Sequence, residues 1–315
     1  MLQRDPAFGG FLISQLCVGV LGNSLFLVLY VYTFLVQPRF KKPIDVIFMH
    51  LTLVNMLTII FILVPAIVSS FGVSQFLNNA GCKVVLYIFR VTRGLSICTT
   101  CILSTFQSII ITPSNSQWVW LKSKLSTWTF YFFLFSWFIN LIIYVRVIET
   151  VMAKTNYTRA GCGYSQAYCE VTEFGNIKPE FFLSVILIRD HFFVVLMMWT
   201  SLYMVILLYR HRKRAQHVHS TRLSSQSSPE RKATQNILLL VSCFVFFFWV
   251  NDFVTLYEFY MPEKMTRLRG LNTVLTTCYP TISPFLLMKN SKVISQFTSS
   301  QSLLRITGFQ RALRD

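Results

Sequence analysis

What this 315-residue chain lacks most is charge. Only 13% of its residues are Asp, Glu, Lys or Arg, and 12 are acidic, whereas soluble domains carry about 25% charged residues. A folded surface of this size needs polar groups to stay dispersed in water, so an ordinary soluble enzyme is excluded. Also missing are a glycine-rich phosphate loop, paired catalytic carboxylates and a His-Glu-x-x-His zinc motif, so the chemistry those spacings serve is unsupported. His211, His217 and His219 stand at loose spacing with no Cys or acid to complete a metal site. The sequence therefore predicts no enzyme and no cofactor. An internal repeat is absent too, and seven spans do not divide into two equal inverted halves, which weakens a transporter reading.

Apolar residues take the place of the missing charge. They make up 54% of the chain, with 30 phenylalanines, and mean hydropathy is +0.54. Seven stretches, 9–36, 46–70, 84–111, 125–145, 181–209, 235–257 and 270–288, approach or exceed the roughly 20 residues a helix needs to cross a bilayer. They are continuously apolar rather than alternating, which excludes transmembrane β-strands. The first is too long for a signal-peptide core and has no small-residue cleavage pattern, so it is expected to be retained. The expectation is an all-α integral membrane protein, a seven-transmembrane helix bundle forming one domain over 1–315 with no separate soluble domain.

Lysine and arginine set the orientation. The segments 37–45, 112–124, 210–234 and 289–315 hold 17 of them, against 9 in the opposite set. Excess Lys and Arg mark the cytoplasmic side, so the N-terminus is expected outside and the C-terminus inside. The formal charge of +17 is thus mostly topological, and no nucleic-acid partner is expected. The sequon Asn156-Tyr157-Thr158 falls in the longest outer loop, where glycosylation is possible. Cys82, Cys162 and Cys169 lie on the oxidising side; three cysteines allow one bridge, and their positions do not choose the pair. The inner segment 210–234 is basic at both ends and Ser-rich between. It reads as a solvated loop near anionic membrane lipid, or as a docking surface for a cytoplasmic partner.

Ionisable groups at membrane depth are expensive and need a reason. Arg90 and Arg93, three apart, share one face of the third span. Arg189, Asp190 and His191 enter the fifth, and Asn251 and Asp252 lie near the outer end of the sixth, with Glu258 just beyond. Charges from three helices are expected to meet in one layer. Either the acids pair with the arginines permanently, or an arginine is left to recognise a ligand. Phe89, Phe192, Trp249, Phe253 and Tyr257 are expected to add aromatic contact area. Asn23, Asn55 and Asn140 read as interhelical hydrogen-bonding residues. Pro65, Pro280 and Pro284 remove backbone donors inside spans.

Several longer stretches are more specific. They are QPRFKKPIDVIFMHLTLVNMLT at 37–58, NNAGCKVVLYIFRVTRGLSICTT at 78–100, LSTFQSIIITPSNSQWVWLKSK at 103–124, NYTRAGCGYSQAYC at 156–169 and CYPTISPFLLM at 278–288. Together with Gly22-Asn23 and Cys82 they resemble the vomeronasal type-1 pheromone receptors, within the rhodopsin-like G-protein-coupled superfamily. The resemblance implies a chemosensory receptor for a small pheromone-like molecule, coupled to a heterotrimeric G protein of inhibitory class. It also implies that Cys82 pairs with Cys169. Phe106-Gln107-Ser108 stands where related receptors carry Asp-Arg-Tyr, Asn55 where an ion-binding aspartate is usual, and Tyr279-Pro280-Thr281-Ile282-Ser283 for Asn-Pro-x-x-Tyr. The inner arginine lock and the sodium site are therefore not carried over.

The resulting expectation is a ligand site at Arg90, Arg93, Asp190, His191, Asp252 and Glu258, and G-protein contacts at Gln107, Arg210, Arg212, Lys213 and Arg214. A bitter-taste-type receptor shares the short N-terminal tail, here residues 1–8 before the first span, and the relaxed motifs, and is the alternative within receptors. A channel would need a polar path continuing inward, yet beyond Gly94 the third span offers Ser96, Thr99, Thr100, Ser104 and Gln107 but no charge.

Overall fold

The computed structural model describes residues 5–36, 43–73, 76–113, 119–153, 168–171, 179–218, 229–260 and 265–289. These form seven helices: α1 Pro6–Val36, α2 Pro43–Ser70, α3 Asn79–Ile110, α4 Val119–Thr150, α5 Pro179–Val218, α6 Pro229–Tyr260 and α7 Met265–Met288. Four begin on proline, whose missing N–H is harmless in a first turn. Asp5 caps α1 by accepting from Phe8 N at 3.0 Å, and Asn78 caps α3 by accepting from Gly81 N at 2.7 Å.

Each predicted span falls on one helix; every helix begins before its apolar run, and α4, α5 and α6 also continue past its end. The largest difference is at 210–234, expected as a loop. There α5 continues to Val218 and α6 begins at Pro229, because Arg, Lys, Gln and Ala are good helix formers even where they are not apolar. The expected outer loop 146–180 also holds structure. Its first residues finish α4, and β1 Val151–Ala153 pairs antiparallel with β2 Cys169–Val171.

Six of the seven helices are long and apolar enough to cross a membrane by length and composition. The exception is α7, expected as the span 270–288. Its Thr, Asn, Tyr and Ser residues lower its hydropathy because they face other helices: Asn272, Thr277, Tyr279 and Ser283 are all buried. Elsewhere the outward faces are apolar, with Leu21 68%, Phe138 66% and Trp199 73% exposed. A surface of that kind needs lipid around it.

Helix α3 is the axis of the bundle, with 67% of its most apolar window buried against 28% for α1, α4 and α5. Small residues line it, among them Gly94, Ser96, Cys98, Thr99, Thr100, Cys101 and Ser104, and small residues let helices approach closely. Polar joints then fix its neighbours. Thr99 Oγ1 donates to Leu95 O at 2.7 Å, so His50 on α2 must donate from Nδ1 to Thr99 at 2.9 Å. Nε2 of His50 consequently accepts from Trp137 Nε1 on α4 at 3.0 Å. One neutral imidazole thus ties three helices. Farther along α3, Ser104 pairs with Thr200 on α5 at 2.7 Å, and Gln107 donates to Thr234 on α6 at 2.9 Å.

Candidate functional site

Two charges from different helices meet between α3 and α6. Arg93 Nη2 lies 3.2 Å from Asp252 Oδ1, with side chains 18% and 7% exposed. The sequence had placed both in one layer, and here the arginine is matched within the bundle. Asp252 Oδ2 is buried and has no partner among the described residues.

The other charges do not join this pair. Arg189 turns toward α4, where Nη1 donates to Asn140 Oδ1 at 2.8 Å and Nη2 to Tyr144 Oη at 2.8 Å. Its Nε donates to Asp190 Oδ1 at 2.7 Å, and its guanidinium carbon lies 5.2 Å from the Tyr144 ring centroid. Asp190 is thereby committed to its own neighbour and not to Arg90 or Arg93. Gly94 makes room for this seat, since a Cβ there would stand 1.9 Å from Asn140 Oδ1. Glu258 belongs to a third group, accepting from Asn272 Nδ2 on α7 at 3.0 Å. Arg90 is half-buried, its guanidinium carbon 5.7 Å from the Phe89 ring centroid. His191 donates from Nδ1 to Leu187 O at 2.8 Å and meets Trp249 edge-on, with ring centroids 5.1 Å apart. In hydrogen bonding the expected layer divides into several groups, although Arg90, Asp190 and His191 still stand near enough to Asp252 for their charges to act on it. The phase of each helix decides which charges meet, and sequence depth does not record it.

Beside the Arg93–Asp252 pair lies a cavity of about 390 Å³, counting space that opens to the outside. α2 contributes Thr58, α3 contributes Arg93, Ser96 and Ile97, α6 contributes Phe244, Phe247, Phe248 and Asn251, and α7 contributes Leu275, Thr276, Tyr279 and Pro280. The aromatic wall differs from the expected one. Phe192 and Phe253 are 64% and 71% exposed on the outer face of the bundle, and Trp249 and Tyr257 also turn outward. On α6, positions 244, 247, 248 and 251 recur at helical spacing and form the inward face. The signal was Asn251, a polar residue that marks that face in an otherwise apolar run.

Behind the cavity the polar groups run in one direction. Pro284 has no N–H, so Pro280 O is left without its helical donor. Asn23 Nδ2 fills it at 3.0 Å, and so does Ser283 Oγ at 3.2 Å. Ser283 Oγ then accepts from Asn55 Nδ2 at 2.9 Å, and Asn55 Oδ1 accepts from Ser96 Oγ at 2.7 Å.

Of the remaining expected sites, Cys82 and Cys169 are joined by a disulfide that ties the head of α3 to β2. Asn156 and Cys162 lie outside the described residues. Gln107 is buried on Thr234. Arg210 and Lys213 are exposed near the end of α5, and Arg212 and Arg214 belong to the same helical end.

Residues 7–300 match the family model of the vomeronasal organ pheromone receptors. The chain is 34% identical over 288 residues to the human vomeronasal type-1 receptor 4, covering 91% of this chain and 95% of that protein. It is 34% identical over 302 residues to the human vomeronasal type-1 receptor 3, covering 95% and 96%. A zebrafish (Danio rerio) protein named olfactory receptor class A-like protein 1 is 29% identical over 279 residues, covering 88% and 87%. A helix bundle with lipid-facing walls and a cavity of mixed polar and apolar lining, matched along nearly its whole length by these receptors, is a multi-pass plasma-membrane protein, and the chain belongs to the vomeronasal organ pheromone receptor family.

Proposed function

We propose that this chain is a chemosensory receptor, a single domain over its length, that binds a small molecule in the cavity beside Arg93 and Asp252. The observation that carries the reading is the cavity itself, lined by four helices that include α6 and α7. A molecule held there touches elements whose relative placement changes when a bundle switches between two packings. The N-terminus, the disulfide and Asn156 are outside, Asn156 carries glycan, and the basic helical ends face the cytoplasm, in line with the distribution of Lys and Arg. A heterotrimeric G protein of inhibitory class docks there, with Arg210, Arg212, Lys213 and Arg214 as its contacts. Gln107 takes part by releasing Thr234 as the helices spread.

The test needs no ligand. Membranes holding the receptor and an inhibitory-class G protein are assayed for receptor-dependent nucleotide exchange. Exchange is expected above receptor-free membranes, and expected to fall when the four basic residues are neutralised together at equal surface level. Absence of receptor-dependent exchange overturns the coupling.

A further inference from the structure

The cavity has a fixed hydrogen-bond polarity, set by the helices behind it. Six polar side chains line it: Thr58, Arg93, Ser96, Asn251, Thr276 and Tyr279. Four of them have already committed their hydrogens. Thr58 Oγ1 donates to Val54 O at 2.8 Å, and a carbonyl only accepts. Thr100 Oγ1 donates to Ser96 O at 2.8 Å, so its contact with Tyr279 at 3.0 Å uses the tyrosine hydrogen. Ser96 is committed through the relay that starts at Pro284 and passes Pro280 O, Ser283 and Asn55.

Asn251 is committed through a second relay. The Glu258 carboxylate accepts from Asn272 Nδ2 at 3.0 Å, which turns Asn272 Oδ1 toward Asn251. Asn251 must then present Nδ2 to α7, where it also donates to Thr276 Oγ1 at 2.7 Å. The amide flip that is ambiguous in isolation is settled here by a carboxylate that only accepts. Asn251 Oδ1 is consequently buried with no partner among the described residues, on a residue 2% exposed.

Thr58, Ser96, Asn251 and Tyr279 therefore offer the cavity only lone pairs. Donors remain on Arg93, which gives one nitrogen to Asp252, and on Thr276. A buried acceptor without a hydrogen is unfavourable, so the occupant that fits best brings one. We propose that the cavity selects a small apolar molecule carrying a hydroxyl group, its single O–H donated into the group of acceptor oxygens on Asn251, Ser96 and Thr58 and its oxygen facing Arg93. The inference rests on the cavity being the ligand site, and it names the polar end of that ligand as a hydroxyl group. A carboxylate would bring a second negative charge to an arginine already matched by Asp252, and would set acceptor against acceptor at Asn251.

The experiment reads binding apart from coupling, as the thermal stabilisation of the purified full-length receptor. The probes are two matched sets on apolar rings: 2-phenylethanol, its methyl ether and phenylacetic acid; and menthol, its methyl ether and menthone. At least one alcohol is expected to raise the melting temperature, with its ether and its acid or ketone weaker by about tenfold in half-saturating concentration. Thr58→Val is the clean variant, because the hydroxyl bonds only within its own helix. It should weaken the alcohol by several-fold and leave the ether unchanged. The proposal is overturned if ethers match alcohols, if the acid is the best of its set, if no alcohol stabilises the receptor, or if Thr58→Val weakens alcohol and ether alike. Alcohol binding without nucleotide exchange would instead count against the coupling and leave the proposal standing.

Discussion

At the scale of single residues, the Arg93–Asp252 pair is the contact most open to test. Removing one partner leaves the other charge buried and unmatched, which costs about 3–5 kcal/mol. Arg93→Ala and Asp252→Ala are each expected to lower surface level, and the double variant to recover part of it, as a double-mutant cycle with surface labelling would read. Equal loss in the double and single variants would show the charges to be uncoupled. Gly94 carries a second prediction. A Cβ there meets Asn140 Oδ1 at 1.9 Å, so Gly94→Ala must push Asn140 away from Arg189 and is expected to lose at least as much stability as an overpacked core site, about 1–3 kcal/mol. A Gly94→Ala receptor with unchanged melting temperature would contradict that geometry. The sequence exposed both Arg93 and Asp252 as groups needing a reason, because charge is rare at membrane depth. It did not reveal that Asp190 serves Arg189, since adjacent residues in a helix point about a quarter-turn apart and only neighbours decide which one is used.

Among elements, α3 and α6 are joined at two depths, by the Arg93–Asp252 ion pair and, near the end of α3, by a neutral hydrogen bond from Gln107 to Thr234. Thr234→Val keeps the shape and removes the acceptor, leaving a buried amide short of a partner. The expected loss is about 1–2 kcal/mol, enough to shift a two-state equilibrium roughly 5- to 30-fold. Basal nucleotide exchange should therefore rise at equal surface level; an unchanged basal rate would mean that this bond does not hold the resting arrangement. Helix positions were largely legible in the sequence because hydropathy reports them directly. Helix ends were not: the basic ends of α5 and α6 continue as helix past the apolar run, since backbone hydrogen bonding does not stop where hydropathy does. The inward face of α6 was hidden for a related reason. Phe, Trp and Val occupy every side of that helix, so periodicity is nearly silent and the face is set by Asn251 and its partners on α7.

For the whole molecule, the Cys82–Cys169 bridge joins positions 87 residues apart. On the chain-entropy account a loop of that size stabilises by about 4–5 kcal/mol. Cys82→Ser and Cys169→Ser are each expected to abolish surface delivery, as surface biotinylation would report, and normal delivery of either would show the bridge to be dispensable. Such a bridge is made only after α3 and β2 have both emerged, which sets an order of events. α7 emerges later still. It is also the least apolar of the seven helices, and its polar groups are received by Gln15, Asn23, Asn55, Thr100 and Asn251 on four earlier helices. During biosynthesis the last wall of the cavity thus finds its hydrogen-bond partners on helices that are already there. A defect in any of those receiving residues should appear first as a chain whose final segment stays in the aqueous phase, retained before it can reach the cell surface, so that assembly of the cavity and export are one event.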